Sequence, residues 1–384
     1  RGHLLEPWAA YWELRARLDE ASSADIRQFL QRYAGTYQED RLRNDWLLLL
    51  GSRRDWGTFG DEYIHYRMRD DREVQCYQAL LDFQGKSAQA AAPVVEEIRR
   101  LWMLQREGDD GCAWAAEALF DAKRLSVLDV WRKARVSAEN NRSRATRQAV
   151  HMVAPDAVST LSDVLGQPMK FLSQRIAAPQ KVRQELVVLA LVRIAANDPD
   201  VAAKQLASKW SPYLTSEERH WVWGVIGRQS AMRLDDDALE HFAKVRNDRD
   251  LNDDMLGWKV RAALRAGTTP RWSVVESSIG HMSEQARRDP TWVYWLARSL
   301  QARRPGTPAL TQEATQLLMS MAGPRGFYEQ LALEALGQAV TLPEKPAAPT
   351  PQELAVVRAN PSLQRGLHAI AIGLRPEGVR HQGL

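Results

Sequence analysis

Apolar residues along this chain recur at spacings of three and four, and almost nowhere at two. That is the periodicity of one buried helix face, and it predicts helices nearly throughout. Ser23-Ala24-Asp25 opens a helix with Ile26, Phe29, Leu30 and Tyr33 on one side. Thr215-Ser216-Glu217-Glu218 has the form of a capping box and is followed by Trp221, Val222, Val225 and Ile226. Pro155, Pro179, Pro199, Pro270 and Pro290 fall at or near helix starts, where a missing N–H costs nothing. No Asn-Gly or Asp-Gly turn separates β-branched runs, so hairpins are not expected. The pattern divides into about twenty helices of roughly 10 to 16 residues with short connections.

Short paired helices in series predict an all-α fold, a superhelical α-solenoid of ring or horseshoe shape without β-sheet. A strict period of about 34 residues is missing, so the repeats are degenerate. One element recurs: Trp131-Arg132-Lys133-Ala134-Arg135, Trp258-Lys259-Val260-Arg261-Ala262 and Trp295-Leu296-Ala297-Arg298. Trp at i with Arg at i+3 or i+4 shares one helix face, and packing between helix pairs is the simplest use of each copy. Residues 340–351 contain Pro343, Pro346, Pro349 and Pro351, which exclude helix and predict an extended linker. Two helical stretches follow, 351–359 and 363–374.

Composition narrows the chemistry. The chain has 384 residues, and its 52 basic and 48 acidic residues leave a net charge of +4, too balanced for a dedicated nucleic-acid binder. Fourteen tryptophans are many for this length, and they suit both interhelical packing and stacking on sugar rings. No apolar run of about 18 residues exists, so no transmembrane helix is expected; residues 186–196, interrupted by Arg193, read as a buried helix. No signal peptide is visible, and since the chain begins at Arg1 that absence carries no weight. The two cysteines, Cys76 and Cys112, permit one disulfide or two buried thiols, and spacing alone favours the thiols.

Catalytic signatures are missing. There is no His-Glu-x-x-His, no phosphate-binding loop and no Gly-x-Ser-x-Gly; Gly224-Val225-Ile226-Gly227 lies inside a helix and lacks the lysine. His151, His220 and His241 stand alone and read as structural. No metal site and no cofactor are expected. Residues 121–150 form a basic stretch, with Lys123, Arg124, Arg132, Lys133, Arg135, Arg142, Arg144 and Arg147 against Asp121, Asp129 and Glu139. A solvated helix face is the simpler reading, and a surface for an anionic polymer the functional one.

Residues 255–336 carry a more specific likeness. Trp258 to Gly267 in the order Trp-Lys-Val-Arg-Ala-Ala-Leu-Arg-Ala-Gly, then Trp272, Trp292-Val293-Tyr294-Trp295-Leu296-Ala297-Arg298 and Phe327-Tyr328-Glu329-Gln330-Leu331-Ala332, resemble the end of the superhelical region of soluble lytic transglycosylases. Residues 42–141 resemble the same region more loosely. The resemblance implies a superhelical domain over 1–338, a Pro-rich linker at 339–351, and in 352–384 the start of a region leading to a lysozyme-like catalytic domain absent from this chain. It implies a periplasmic protein in a Gram-negative bacterium, and with it a Cys76–Cys112 disulfide.

In that family one glutamate protonates the leaving oxygen between N-acetylmuramic acid and N-acetylglucosamine, then helps close a 1,6-anhydro ring. Glu276-Ser277 matches the family's Glu-Ser pair, but no Gly-Leu-Met-Gln follows, so Glu276 is rejected and no catalytic residue is expected here. The implied role is a non-catalytic scaffold that is inactive alone, with its own catalytic domain and peptidoglycan glycan strands or stem peptides as partners. Arg132, Lys133 and Arg135 are the candidates for glycan or stem-peptide contact. The alternative is a tetratricopeptide-like protein-interaction solenoid unrelated to the cell wall. The ending, 378–384, departs from the family's linker pattern, and the Pro-rich segment is longer than expected.

Overall fold

Several helices in this protein start where the sequence supplies a side-chain cap. The Thr215 hydroxyl accepts from the Glu218 amide at 3.3 Å and the Glu218 carboxylate returns to the Thr215 amide at 2.7 Å, which completes the expected box. Ser22, one residue before the expected start, caps Ser23–Arg32, and Asp109 caps Asp110–Asp121. The computed structural model describes residues 2–87, 89–303, 306–341 and 344–380, and among them are 24 α-helices and no strand. The Pro-rich stretch is without helix at 338–341 and 344–350; Pro343 lies outside the described residues. Pro351 then opens Pro351–Ala359, Pro361–Ala371 follows, and a third helix not expected from the pattern, Arg375–Arg380, comes after it. Residues 381–384 of the ending also lie outside the described residues.

The chain packs as two units, Arg1–Val130 with Pro346–Leu384, and Trp131–Lys345. In the first, Trp8, Tyr11, Ile26, Phe29, Leu42, Trp46 and Phe59 form one core around helix Tyr37–Arg53. That helix is buried on its polar side too, so its charges need partners inside. Asp40 accepts from the Arg67 and Met68 amides at 2.8 and 2.7 Å, and Arg43 pairs with both Glu39 and Glu62. Helices Arg72–Phe83 and Asp110–Asp121 are joined by Cys76 and Cys112, with sulfurs 2.01 Å apart and both side chains fully buried. Gly111 permits their approach, because a Cβ there would stand 2.7 Å from the Glu73 carbonyl oxygen.

In the second unit, 186–192 are all buried within helix Gln180–Asn197, as their apolar run predicted. Helix Ser216–Met232 turns two glycines toward its neighbours. A Cβ on Gly224 would meet Leu251 at 2.4 Å, and one on Gly227 would stand 2.9 Å from the Phe242 ring. The Gly-x-x-Gly is therefore a close-packing face. His220 donates from Nδ1 to Asp250 at 2.6 Å and accepts at Nε2 from the Arg246 amide at 3.3 Å. His241 stacks on Trp223 with ring centroids 5.9 Å apart.

An ion-pair network ties three helices of this unit. Arg135, on Val127–Glu139, has no exposed side-chain surface. Its guanidinium donates to both oxygens of Glu185 at 2.9 Å and to both oxygens of Glu217 at 2.9 Å. Arg132 reaches Glu217 at 3.2 Å, and Lys181 bridges Glu185 at 2.8 Å and Glu218 at 2.6 Å. Burial alone would lower the affinity of Arg135 for its proton, but the attraction and hydrogen bonds of Glu185 and Glu217 reverse that and raise its pKa. Elsewhere Arg228 holds Glu139 and Asp254 together; burial nevertheless pushes the Glu139 carboxyl above its usual range.

Four stability outcomes are expected in urea unfolding. Arg135→Ala removes a two-point partner from the buried Glu185, leaving it Lys181 alone, and costs about 3–5 kcal/mol, whereas Arg132→Ala, at the rim, costs under about 1 kcal/mol. Gly227→Ala overpacks against Phe242 and costs about 1–3 kcal/mol. Reducing Cys76–Cys112, which are 36 residues apart, costs about 2–4 kcal/mol; equal midpoints with and without reductant would contradict this, and intact mass reads the bond directly.

Candidate functional site

The end of helix Ser216–Met232 turns sharply. Leu234 sits in the left-handed region at φ 65°, and the Asp235 amide reaches back to the Ser230 carbonyl at 3.0 Å. A leucine in this conformation costs about 1–3 kcal/mol, a strain of the kind often found beside ligand sites. The turn brings Asp235 and Asp236 to the wall of a cleft of about 580 Å³.

Four further helices complete it. Trp258, Arg261 and Arg265 lie at i, i+3 and i+7 on Asp253–Arg265, so they share one face. Trp295 comes from Pro290–Arg303, Tyr328 from Phe327–Ala335, and Ala238 and Leu239 from Ala238–Ala243. The Trp295 indole N–H donates to the Tyr328 hydroxyl at 3.3 Å, which holds the two rings edge to face with centroids 6.4 Å apart. The Arg261 guanidinium is held between Trp258 and Trp292, 4.8 and 5.0 Å from the ring centroids. Arg265 donates to the Leu234 carbonyl at 3.4 Å and so fastens the strained turn to the facing helix. The Asp235 and Asp236 carboxylates have no ion-pair partner among the described residues.

The lining offers several kinds of binding contact. Half-buried aromatic faces can stack on a flat amphipathic ring, two carboxylates can accept from hydroxyls, and two guanidiniums can donate. The lining contains no histidine, serine or cysteine; its titratable acids are Asp235 and Asp236. Glu276 is away from this lining, on helix Trp272–Gly280, where it pairs with Arg303.

The residues expected from sequence to touch glycan lie elsewhere. Arg135 is fully buried and Lys133 is 1% exposed, so both are interior groups; the Arg132 side chain is 25% exposed and committed to Glu217. The exposed cations of the basic stretch include Lys123 and Arg124, and, in the second unit, Arg144 and Arg147. A charge run does not distinguish cations that face solvent from cations that hold helices together. The cleft residues were missed for a related reason. Spacing places Trp and Arg on one helix face, and packing is the simplest use of each copy. That is correct for Trp131, at 1% exposure, whereas Trp258 and Trp295 are only half-buried and face the cleft.

Comparison with known proteins places the fold. No family model matches the chain, and no curated protein matches it. Among solved structures it is similar to an inactive mutant of the lytic transglycosylase Slt from Pseudomonas aeruginosa, at 25% identity and a TM-score of 0.53. It is also similar to the 70 kDa soluble lytic transglycosylase from Escherichia coli, at 15% identity and a TM-score of 0.50. Each match covers 99% of this chain and 60% of the other, so this chain spans somewhat more than half the length of either protein. At the level of the fold, this all-helical chain resembles the soluble lytic transglycosylases.

Proposed function

We propose that this chain is a non-catalytic, peptidoglycan-binding helical region of a lytic transglycosylase acting in cell-wall turnover. The observation that carries the reading is the likeness in fold over 99% of the chain to a lytic transglycosylase at 25% identity. The cleft at Trp258, Trp295 and Tyr328 supplies a matching chemistry, since aromatic faces with flanking hydrogen-bonding groups suit pyranose rings. The bonded Cys76 and Cys112 fit an oxidising compartment such as the periplasm. On this reading the segment 339–351 is a linker, and residues 352–384 lead toward a catalytic domain that performs the bond cleavage. A protein-interaction solenoid unconnected with the cell wall is not favoured by the same likeness.

The chain is expected to bind soluble glycan strands freed of peptide, with an affinity that Trp258→Ala and Trp295→Ala each weaken by about tenfold, the equivalent of about 1.4 kcal/mol. Titration calorimetry measures this. Incubation with purified peptidoglycan is expected to release no anhydro-muropeptides. Glycan binding that ignores both substitutions would remove the cleft from the reading, and release of anhydro products would overturn the non-catalytic role.

A further inference from the structure

A second cleft in the same unit differs from the first in charge. It has a volume of about 510 Å³ and lies between two connections, one after helix Pro168–Ser173 and one before Ser216–Met232, over the start of Gln180–Asn197. Arg175 and Arg183 line it, and no aspartate or glutamate does. Both arginines are exposed, and neither has an ion-pair partner among the described residues. Carboxylates adjacent in sequence to the cleft are already committed: Glu185 and Glu217 to Arg135, and Glu218 to Lys181. The positive charge of the cleft is therefore uncompensated from within.

The rest of the lining offers amides. Gln174, Gln180 and Gln184 contribute side-chain amides, and Gln184, on helix Gln180–Asn197, fastens the second connection to that helix by donating to the Tyr213 carbonyl at 2.7 Å. Tyr213 is 65% exposed. Trp210 ends a π-helical turn, Leu206–Trp210, a rare conformation that often marks functional sites. The Trp210 indole N–H is buried without an acceptor, although a buried donor ordinarily has one. Lys209 stands 4.6 Å from the Trp210 ring centroid, with its ammonium donating to the Leu172 carbonyl.

We propose that this cleft binds a short peptide through its free carboxylate, with Arg175 and Arg183 as the anion-binding pair and Tyr213 as the platform. Guanidinium forks match carboxylates in two-point geometry, and glutamine amides can pair with peptide groups. The source of the peptide rests on the peptidoglycan reading above: stem peptides bear carboxylates and hang from the strands that the first cleft would hold. The two clefts then divide the polymer, neutral rings at Trp258 and charged peptide at Arg175.

The test is calorimetric titration of the intact chain with four probes. They are a stem peptide freed from peptidoglycan, the same peptide amidated at its carboxylates, a glycan oligomer stripped of peptide, and an unrelated L-peptide with a free carboxylate. The free stem peptide is expected to bind, and amidation to weaken it by about tenfold or more, the scale of a charge-assisted hydrogen bond. Arg175→Ala with Arg183→Ala, and separately Tyr213→Ala, should reproduce that loss and leave the stripped glycan unaffected, whereas Trp258→Ala should do the reverse. Absence of stem-peptide binding, indifference to amidation, or indifference to all three substitutions would overturn the site. Equal binding of the unrelated L-peptide would overturn the stem-peptide assignment. Stem-peptide binding without glycan binding would sink the role of the first cleft and sustain this one.

Discussion

The second unit depends on how it accommodates one buried cation. A guanidinium with no exposed surface is costly unless every face finds a partner. Arg135 meets this with two carboxylates, Glu185 and Glu217, and with the Trp221 ring 5.4 Å from its centre. Because those groups come from different helices, the pairing sets the rotation of Val127–Glu139, Gln180–Asn197 and Ser216–Met232 about their axes. Arg132 and Lys181 extend it, and each of the carboxylates Glu185, Glu217 and Glu218 is thereby held by a cation of the network. None of these three is left to pair with the arginines at 175 and 183.

The rest of the unit follows from that rotation. With Ser216–Met232 held in place, Gly224 and Gly227 face Leu251, Met255 and Phe242, and the next helices close to distances that a side chain would forbid. Beyond the end of the helix, Leu234 turns the chain at the edge of the cleft. Trp258, Trp295 and Tyr328 border the cleft without filling it. Tryptophan is large enough to pack on one edge and leave a face open, which is why residues that resemble packing motifs can also line a cleft. The two clefts differ in a simple way: the first mixes carboxylates with guanidiniums, and the second has guanidiniums alone.

Likeness in fold at 25% and 15% identity, with no matching family model, is physically reasonable for this architecture. Helix pairs tolerate wide exchange of apolar side chains as long as volume and pattern persist. Steric constraint is greatest at the glycine and aromatic positions where helices approach most closely. These include Gly257, whose Cβ would stand 2.9 Å from the Trp292 ring, and the Trp295–Tyr328 pair.

Local physics was legible in the sequence. Periodicity, caps and prolines determined that the chain is helical and where many of its helices begin: the box at Thr215, the buried run 186–192 and the start at Pro351 all follow from interactions within a few residues. Chain-wide charge balance and the absence of catalytic motifs were equally readable. What a charged or aromatic residue does was not, because that depends on partners far away in sequence. Arg135 finds Glu185 and Glu217 at separations of 50 and 82 residues, which turned an expected surface contact into an interior brace. The cleft likewise joins Asp235, Trp258, Trp295 and Tyr328, brought together by helix packing alone. Spacing along one helix states which residues share a face; only the tertiary structure decides whether that face meets a neighbour or open solvent.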